Sequence, residues 1–211
     1  MNSTIKGPDG KLRCSWCSVT PDFFEYHDRE WGYPVDNDIR LFEKLCLESF
    51  QSGLSWRTIL AKRDNFRAAF LDFDFVKVAE FGEVDVERLL SNKGIVRHRG
   101  KIEAVINNAK KACELVKREG SLAAYFWSFE PDKTKRPEPQ TASTSEESIA
   151  LSRALKKQGW KFVGPTTVYA FMQAMGLIND HSDQCAFREK AEKARKRFTR
   201  PTKSQLTRPA H

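Results

Sequence analysis

In every strongly patterned stretch of this chain the apolar residues fall at helical intervals, and none shows the sustained alternation of a strand. The pattern therefore predicts helices and no sheet. Residues 36–53, DNDIRLFEKLCLESFQSG, open on Asp36 as N-cap, carry Leu41, Phe42, Leu45 and Cys46 on one side, and stop before Gly53. Residues 101–117 space Ile102, Val105, Ile106, Ala109, Cys113 and Val116 along one face. In 144–159, Thr144 and Glu147 have capping-box spacing and Gly159 supplies the stop. Residues 164–176 begin with Pro165 at a first helical position and continue with Val168, Phe171, Met172 and Met175. Shorter helices are expected at 74–81 and 85–92. The Pro-, Lys- and Ser/Thr-rich stretch 130–145 reads as a long exposed loop within one domain.

At 211 residues the chain suits one buried domain, and 15 Phe supply a core. No apolar run approaches the roughly 18 residues of a membrane span, and the first residues lack a signal-peptide pattern. A cytoplasmic protein with no membrane association, monomeric by default, is expected. Five cysteines, an odd number, argue for reduced thiols or metal ligands rather than a disulfide framework. The net charge of +8 is unevenly placed: nine Lys/Arg against two acids lie beyond residue 185, which leaves the body nearly neutral. Residues 188–211 then read as a basic, disordered tail, 1–12 as a flexible N-terminus, and 13–187 as the folded domain. Basic charge of this kind raises affinity for phosphate backbones without specifying them.

Soft ligands wait at both chain ends. Cys14 or Cys17, with His27, His181 and Cys185, would make a closed tetrahedral zinc set, and four protein ligands leave no open position for catalysis. The spacing is not that of a zinc finger. On spacing alone the plainer reading, unrelated residues at two ends, is preferred.

Residues 154–176 also read as a helix, the connection GWKFVG, and a second helix. Free backbone N–H groups around Gly164, Pro165 and Thr166, aided by the helix dipole, would bind a phosphate without any lysine. A plain αα-hairpin accounts for the same pattern equally well. The loop 92–101 gathers Lys93, Arg97, Arg99 and Lys101, for phosphates or simply for solvent.

Glu48 stands in the row that Leu41 and Leu45 begin, where a carboxylate is disfavoured unless paired or used. Trp16, Phe23, Tyr26, Trp31 and Trp56 surround it in sequence. An acid beside aromatic faces receives a flat cation well. The alternative is that Glu48 meets an arginine and the rings are core.

The blocks RCSW, YHDREWG, CLESFQSGLSW, GIVRHRGKI, KFVG and GLINDHSDQC together resemble the DNA-3-methyladenine glycosylase I family from about Arg13 to Cys185. The resemblance implies an all-α, helix–hairpin–helix glycosylase bundle. It also implies one structural zinc per chain, held by Cys14, His27, His181 and Cys185, that joins the N- and C-terminal segments. It implies a 3-methyladenine pocket in which Glu48 contacts the base, Tyr26 and Trp56 flank it, and Trp16 and Trp31 line the same region. Phe23 stands where the family pattern has tyrosine, and the hairpin lacks the fuller Gly-x-Gly form. The implied partner is double-stranded DNA with alkylated bases, and the product free 3-methyladenine. Glu48 is the first candidate for catalysis and Asp180 the second. Strand-cutting glycosylases use a lysine near the start of the hairpin's second helix. Here that stretch reads Gly164, Pro165, Thr166, Thr167, which predicts a monofunctional enzyme. The rivals are a non-catalytic DNA-binding module and a metal-dependent hydrolase, the latter disfavoured by the closed ligand set.

Overall fold

The structure is a computed structural model that describes residues 4–132 and 139–203, and most of its helices begin at a side-chain cap. The helices are α1 (Pro21–Arg29), α2 (Asp38–Gln51), α3 (Trp56–Ala61), α4 (Arg63–Ala69), α5 (Phe75–Val78), α6 (Glu83–Ser91), α7 (Arg99–Glu119), α8 (Leu122–Trp127), α9 (Glu146–Lys157), α10 (Pro165–Ala174) and α11 (Arg188–Arg197). The cap of α2 is Asn37 rather than Asp36, its side chain accepting from Arg40 N at 3.0 Å. The box of α9 is Ser145 with Ser148 rather than Thr144 with Glu147. Both corrections are one-residue shifts in which a neighbouring short polar side chain wins the orphan amide.

α2 is the central helix, touching α3, α7, α8 and α10. Around it Phe42, Phe50, Phe66, Phe70, Phe73, Phe126 and Phe171 are fully buried, with Phe50 and Phe66 ring centroids 4.6 Å apart. α10 packs on both α9 and α2, so the helical pair that carries the hairpin rests directly on the helix that carries Glu48. Ser49 Oγ donates to Phe162 O at 2.9 Å, tying the hairpin to α2. On its other side Asn108 of α7 clasps Lys161, accepting from its N–H at 2.8 Å and donating to its carbonyl at 2.9 Å.

Two expectations fail at the chain ends. Residues from the stretch 1–12 set aside as flexible join Arg13 and Cys14 in a hairpin, β1 (Thr4–Lys6) against β2 (Leu12–Cys14), antiparallel with Ile5 opposite Arg13. Three-residue strands are too short for alternation to register, which is why the pattern predicted no sheet. Its fixed point is Arg13, 5% exposed, whose guanidinium lies 2.6 Å from Asp9 Oδ1 and 2.7 Å from Asp28 Oδ2. Ala186 N donates to Leu12 O at 2.9 Å, so β2 also holds the C-terminal segment.

Beyond residue 187, where a disordered tail was expected, α11 continues the body. Ala191 and Arg195, one turn apart, face inward. Arg195 pairs with Glu130 at 2.7 Å with both side chains almost fully buried. A count of charges cannot see which of the nine Lys and Arg are spent internally, as Arg195 is and as Arg200, also on Glu130, is. The tail beyond residue 203 and part of the 130–145 loop lie outside the described residues. Among the described residues no helix is long and apolar enough to cross a membrane.

Candidate functional site

Two neighbouring residues of α1 serve two separate places. Tyr26 turns into a cavity and His27 into a buried thiol cluster, with Trp16 between them at 6.2 Å from the Tyr26 ring and 5.3 Å from the His27 ring. Trp16 reaches this position on the 3-10 turn Ser15–Ser18, immediately after Cys14.

The cavity measures about 310 Å3, within the range of small-ligand sites. Trp16, Tyr26, Trp31, Trp56 and Glu48 all line it, as the sequence reading expected. Trp16 meets Trp31 edge-on at 5.0 Å, and Tyr26 lies 5.4 Å from Trp56 at 43°. The Trp56 indole N–H is buried with no hydrogen-bond acceptor among the described residues. Phe23 is elsewhere: it backs Trp16 at 6.1 Å and is absent from the lining.

The Glu48 carboxylate is 6% exposed and does have a partner, which is Lys44 rather than an arginine. Lys44 Nζ lies 2.7 Å from Glu48 Oε1 and donates to Tyr26 Oη at 2.6 Å. Burial pushes the Tyr26 hydroxyl well above the usual phenol range, and the Glu48 charge adds to this, so Tyr26 stays neutral.

Asp180 forms another part of the wall. It accepts from Gln140 N at 2.9 Å and from Gln173 Nε2 at 2.5 Å. Burial raises its proton affinity, and these hydrogen bonds oppose that rise. Gln51, Gln140, Ala142, Ala170 and Gln173 complete the lining and were not anticipated. Gln51 was within reach, since it stands three residues after Glu48 on the same helix. Gln140 was not, because it enters from the loop read as exposed.

Behind Trp16, ligand atoms of Cys14, His27 and Cys185 lie within 4.8 Å of one another and all three residues are buried. Cys17 is buried but outside this group. His181 stands beside it, 5.0 Å from the His27 ring. Three details fit a metal. His27 Nδ1 is held by Asp28 Oδ1 at 2.8 Å and His181 Nδ1 by Asn179 Oδ1 at 3.0 Å, the outer hydrogen bonds that orient ligating imidazoles. His181 Nε2 is buried with no partner among the described residues. Gly32, at φ +83°, leaves room for that ring: a Cβ there would sit 2.7 Å from His181 Cε1. Burial, then the neighbouring His27, lowers His181 to a pKa of about 3, which keeps it neutral and able to ligate. Hydrogen bonding from Cys14 lowers the Cys185 thiol to about 7, while that same pairing and burial raise Cys14.

The hairpin presents Gly164 as N-cap and Pro165 at the first position of α10. The internal ladder starts only at Val168 N, which donates to Gly164 O at 2.9 Å, so the Thr166 and Thr167 amides precede it. Arg97 is exposed. Arg99 instead pairs with Glu83 at 2.8 Å, with Glu103 and with Glu87. Lys101 is buried and donates to Phe50 O at 2.9 Å and to Ser52 O, closing the end of α2. Of that loop's four cations, two are thus committed within the protein.

The methyladenine glycosylase family model matches residues 16–189. The chain is 49% identical to DNA-3-methyladenine glycosylase 1 of Escherichia coli strain K12 over 177 residues, covering 82% of this chain and 95% of that protein. It is 44% identical to DNA-3-methyladenine glycosylase of Haemophilus influenzae, again over 177 residues, covering 82% of this chain and 96% of that one. A crystal structure of 3-methyladenine DNA glycosylase I superposes with a TM-score of 0.76 at 47% identity, covering 82% of this chain and 98% of the other. A Staphylococcus aureus 3-methyladenine DNA glycosylase I, solved for its recognition of 3-methyladenine, gives 0.77 at 34% identity, covering 83% of this chain and 96% of that one.

Proposed function

Because the chain belongs to the methyladenine glycosylase family, we propose that it hydrolyses the N-glycosidic bond of 3-methyladenine in duplex DNA and leaves an abasic site. The observation that carries this reading is the ring-walled cavity with the Glu48 carboxylate in its wall. Methylation at N3 makes the base cationic, which weakens its stacking and its bond to the sugar, so extrusion costs less than for an intact base. Tyr26 and Trp56 offer faces to the flat ring, and Glu48 offers an anion to its charge. As the bond breaks, its electron pair moves to the base, which departs neutral. Positive charge then grows on the sugar, water adds to C1′, and the water's proton passes to solvent. Glu48 is the first residue to favour that charge, and Asp180 stands second.

The zinc fits Cys14, His27, His181 and Cys185, the three clustered side chains and the neighbouring orphaned imidazole. Bound there by four protein ligands, it would be structural and would clasp β2, α1 and the segment before α11. DNA would be gripped at the hairpin by the amides around Gly164, Thr166 and Thr167 at the Pro165 start of α10, with the exposed Arg97 as a further phosphate contact. Arg99 contributes only if it leaves its three carboxylates.

The test is incubation with methylated duplex DNA and chromatography of the released bases. Free 3-methyladenine is expected. Among the described residues the cavity lining holds no lysine, which favours a monofunctional enzyme. Borohydride added during turnover is therefore expected to trap no protein–DNA adduct, and an accumulating adduct would contradict the assignment.

A further inference from the structure

Lys44 is not used by the reaction as written, yet it touches three of the groups on which that reaction depends. α2 places it one turn before Glu48, and both side chains are 6% exposed. Its Nζ lies 2.7 Å from Glu48 Oε1, donates to Tyr26 Oη at 2.6 Å, and stands 3.5 Å from the Trp56 ring centroid. Lys44 does not line the base cavity. It lines a small gap behind Tyr26 and Trp56, whose other charged walls are Glu30, Arg40, Glu43 and Arg63.

A cation of the protein's own thus occupies the back of the aromatic and acidic set that is read as the receptor of a cationic base. Three consequences follow from elementary chemistry. Tyr26 Oη accepts from Lys44, which leaves its own proton free for an acceptor on the ligand. Glu48 spends Oε1 on Lys44, which leaves Oε2 for the base. The third consequence concerns charge. The positive charge passes from base to sugar as the bond breaks, so a carboxylate left uncompensated against the base would favour the bound substrate as well as the transition state. Only interactions that strengthen on the way to the transition state raise the chemical rate.

We propose that Lys44 is a positioning residue for base recognition, fixing Glu48 and Tyr26 from behind and balancing the Glu48 charge so that the cationic ground state is not overbound. The inference rests on the base pocket proposed above. Burial pushes the Lys44 ammonium below the usual lysine range, and the adjoining Glu48 charge opposes that push. The pair is therefore maintained by Glu48 itself.

The experiment compares wild type, Lys44→Met and Lys44→Arg in steady-state release of 3-methyladenine from methylated DNA, each variant first checked for folding by circular dichroism. For Lys44→Met we expect kcat to fall about 10-fold or more, with KM unchanged or lower. Lys44→Arg, which restores the cation, should recover most of kcat. Should Lys44→Met not fold, Lys44→Gln takes its place with the same expectation. A folded neutral variant with kcat and KM within about twofold of wild type overturns the inference, as does an arginine variant no better than the neutral one. A wild type that releases no base overturns the pocket reading, and this inference with it. A wild type that releases base beside an unchanged neutral variant overturns this inference alone.

Discussion

Glu48→Gln should slow 3-methyladenine release by about 100-fold, because it removes a preorganised charge from a site shielded from water. The substitution keeps the side chain's shape and leaves an oxygen for Lys44, so the fold should hold. What it removes is the anion beside Tyr26, Trp56 and the bound cationic base. It also leaves the Lys44 ammonium, 6% exposed, without its countercharge. Losing one partner of a buried pair destabilises by about 3–5 kcal/mol, and the amide's retained hydrogen bond should hold the loss below that. Single-turnover release and a denaturation curve on the same preparation separate the two effects. A well-folded variant that releases base at the wild-type rate would falsify the pocket assignment.

The second large effect concerns the metal. Purified protein should contain one zinc per chain, and both chelation and Cys185→Ala should lower its stability. Structural zinc stabilises isolated finger peptides by about 10–16 kcal/mol. A domain with this much buried phenylalanine does not depend on its clasp to that degree, so a loss of several kcal/mol is expected, read by urea denaturation. The loss should be accompanied by release of the N-terminal hairpin, since β2 and the segment ending in Cys185 are joined both at the thiols and through Ala186 N to Leu12 O. Turnover should persist in whatever fraction remains folded. If a fully folded Cys185→Ala protein has lost turnover, the metal is catalytic and the structural role is wrong.

The long helices were readable because their apolar stripes outrun chance. α2, α7, α9 and α10 all fall within a few residues of the spans expected from periodicity. α1, α3, α4 and α8 were missed, being nine residues or fewer and offering at most about two and a half turns of pattern. The site was legible in part. An acid continuing a leucine row pointed to Glu48, and the nearby rings do converge on it, apart from Phe23. Its partner Lys44 was within reach by spacing, one turn before it on α2, but the burial of the pair was not. Lys44 reads on α2 as one more solvent-facing charge, and only the packing of α1 and α3 encloses it. The same blindness ran the other way in the loop 92–101, where Arg99 and Lys101 looked available for phosphate and are engaged by protein carboxylates and carbonyls. At the C-terminus, composition suggested a tail where α11 buries a face. Charge counts report sign and quantity, and neither says which way a side chain points.

The Ser49 hydroxyl, shared between its own helix and the hairpin at Phe162, makes the distance between backbone grip and base reader a fixed gauge. On the proposed reading, a duplex seated at α10 cannot be accommodated by sliding one element past the other. The DNA must bend or unstack until its damaged nucleotide spans that gauge, and undamaged sequence, stiffer and better stacked, is turned away by its own rigidity.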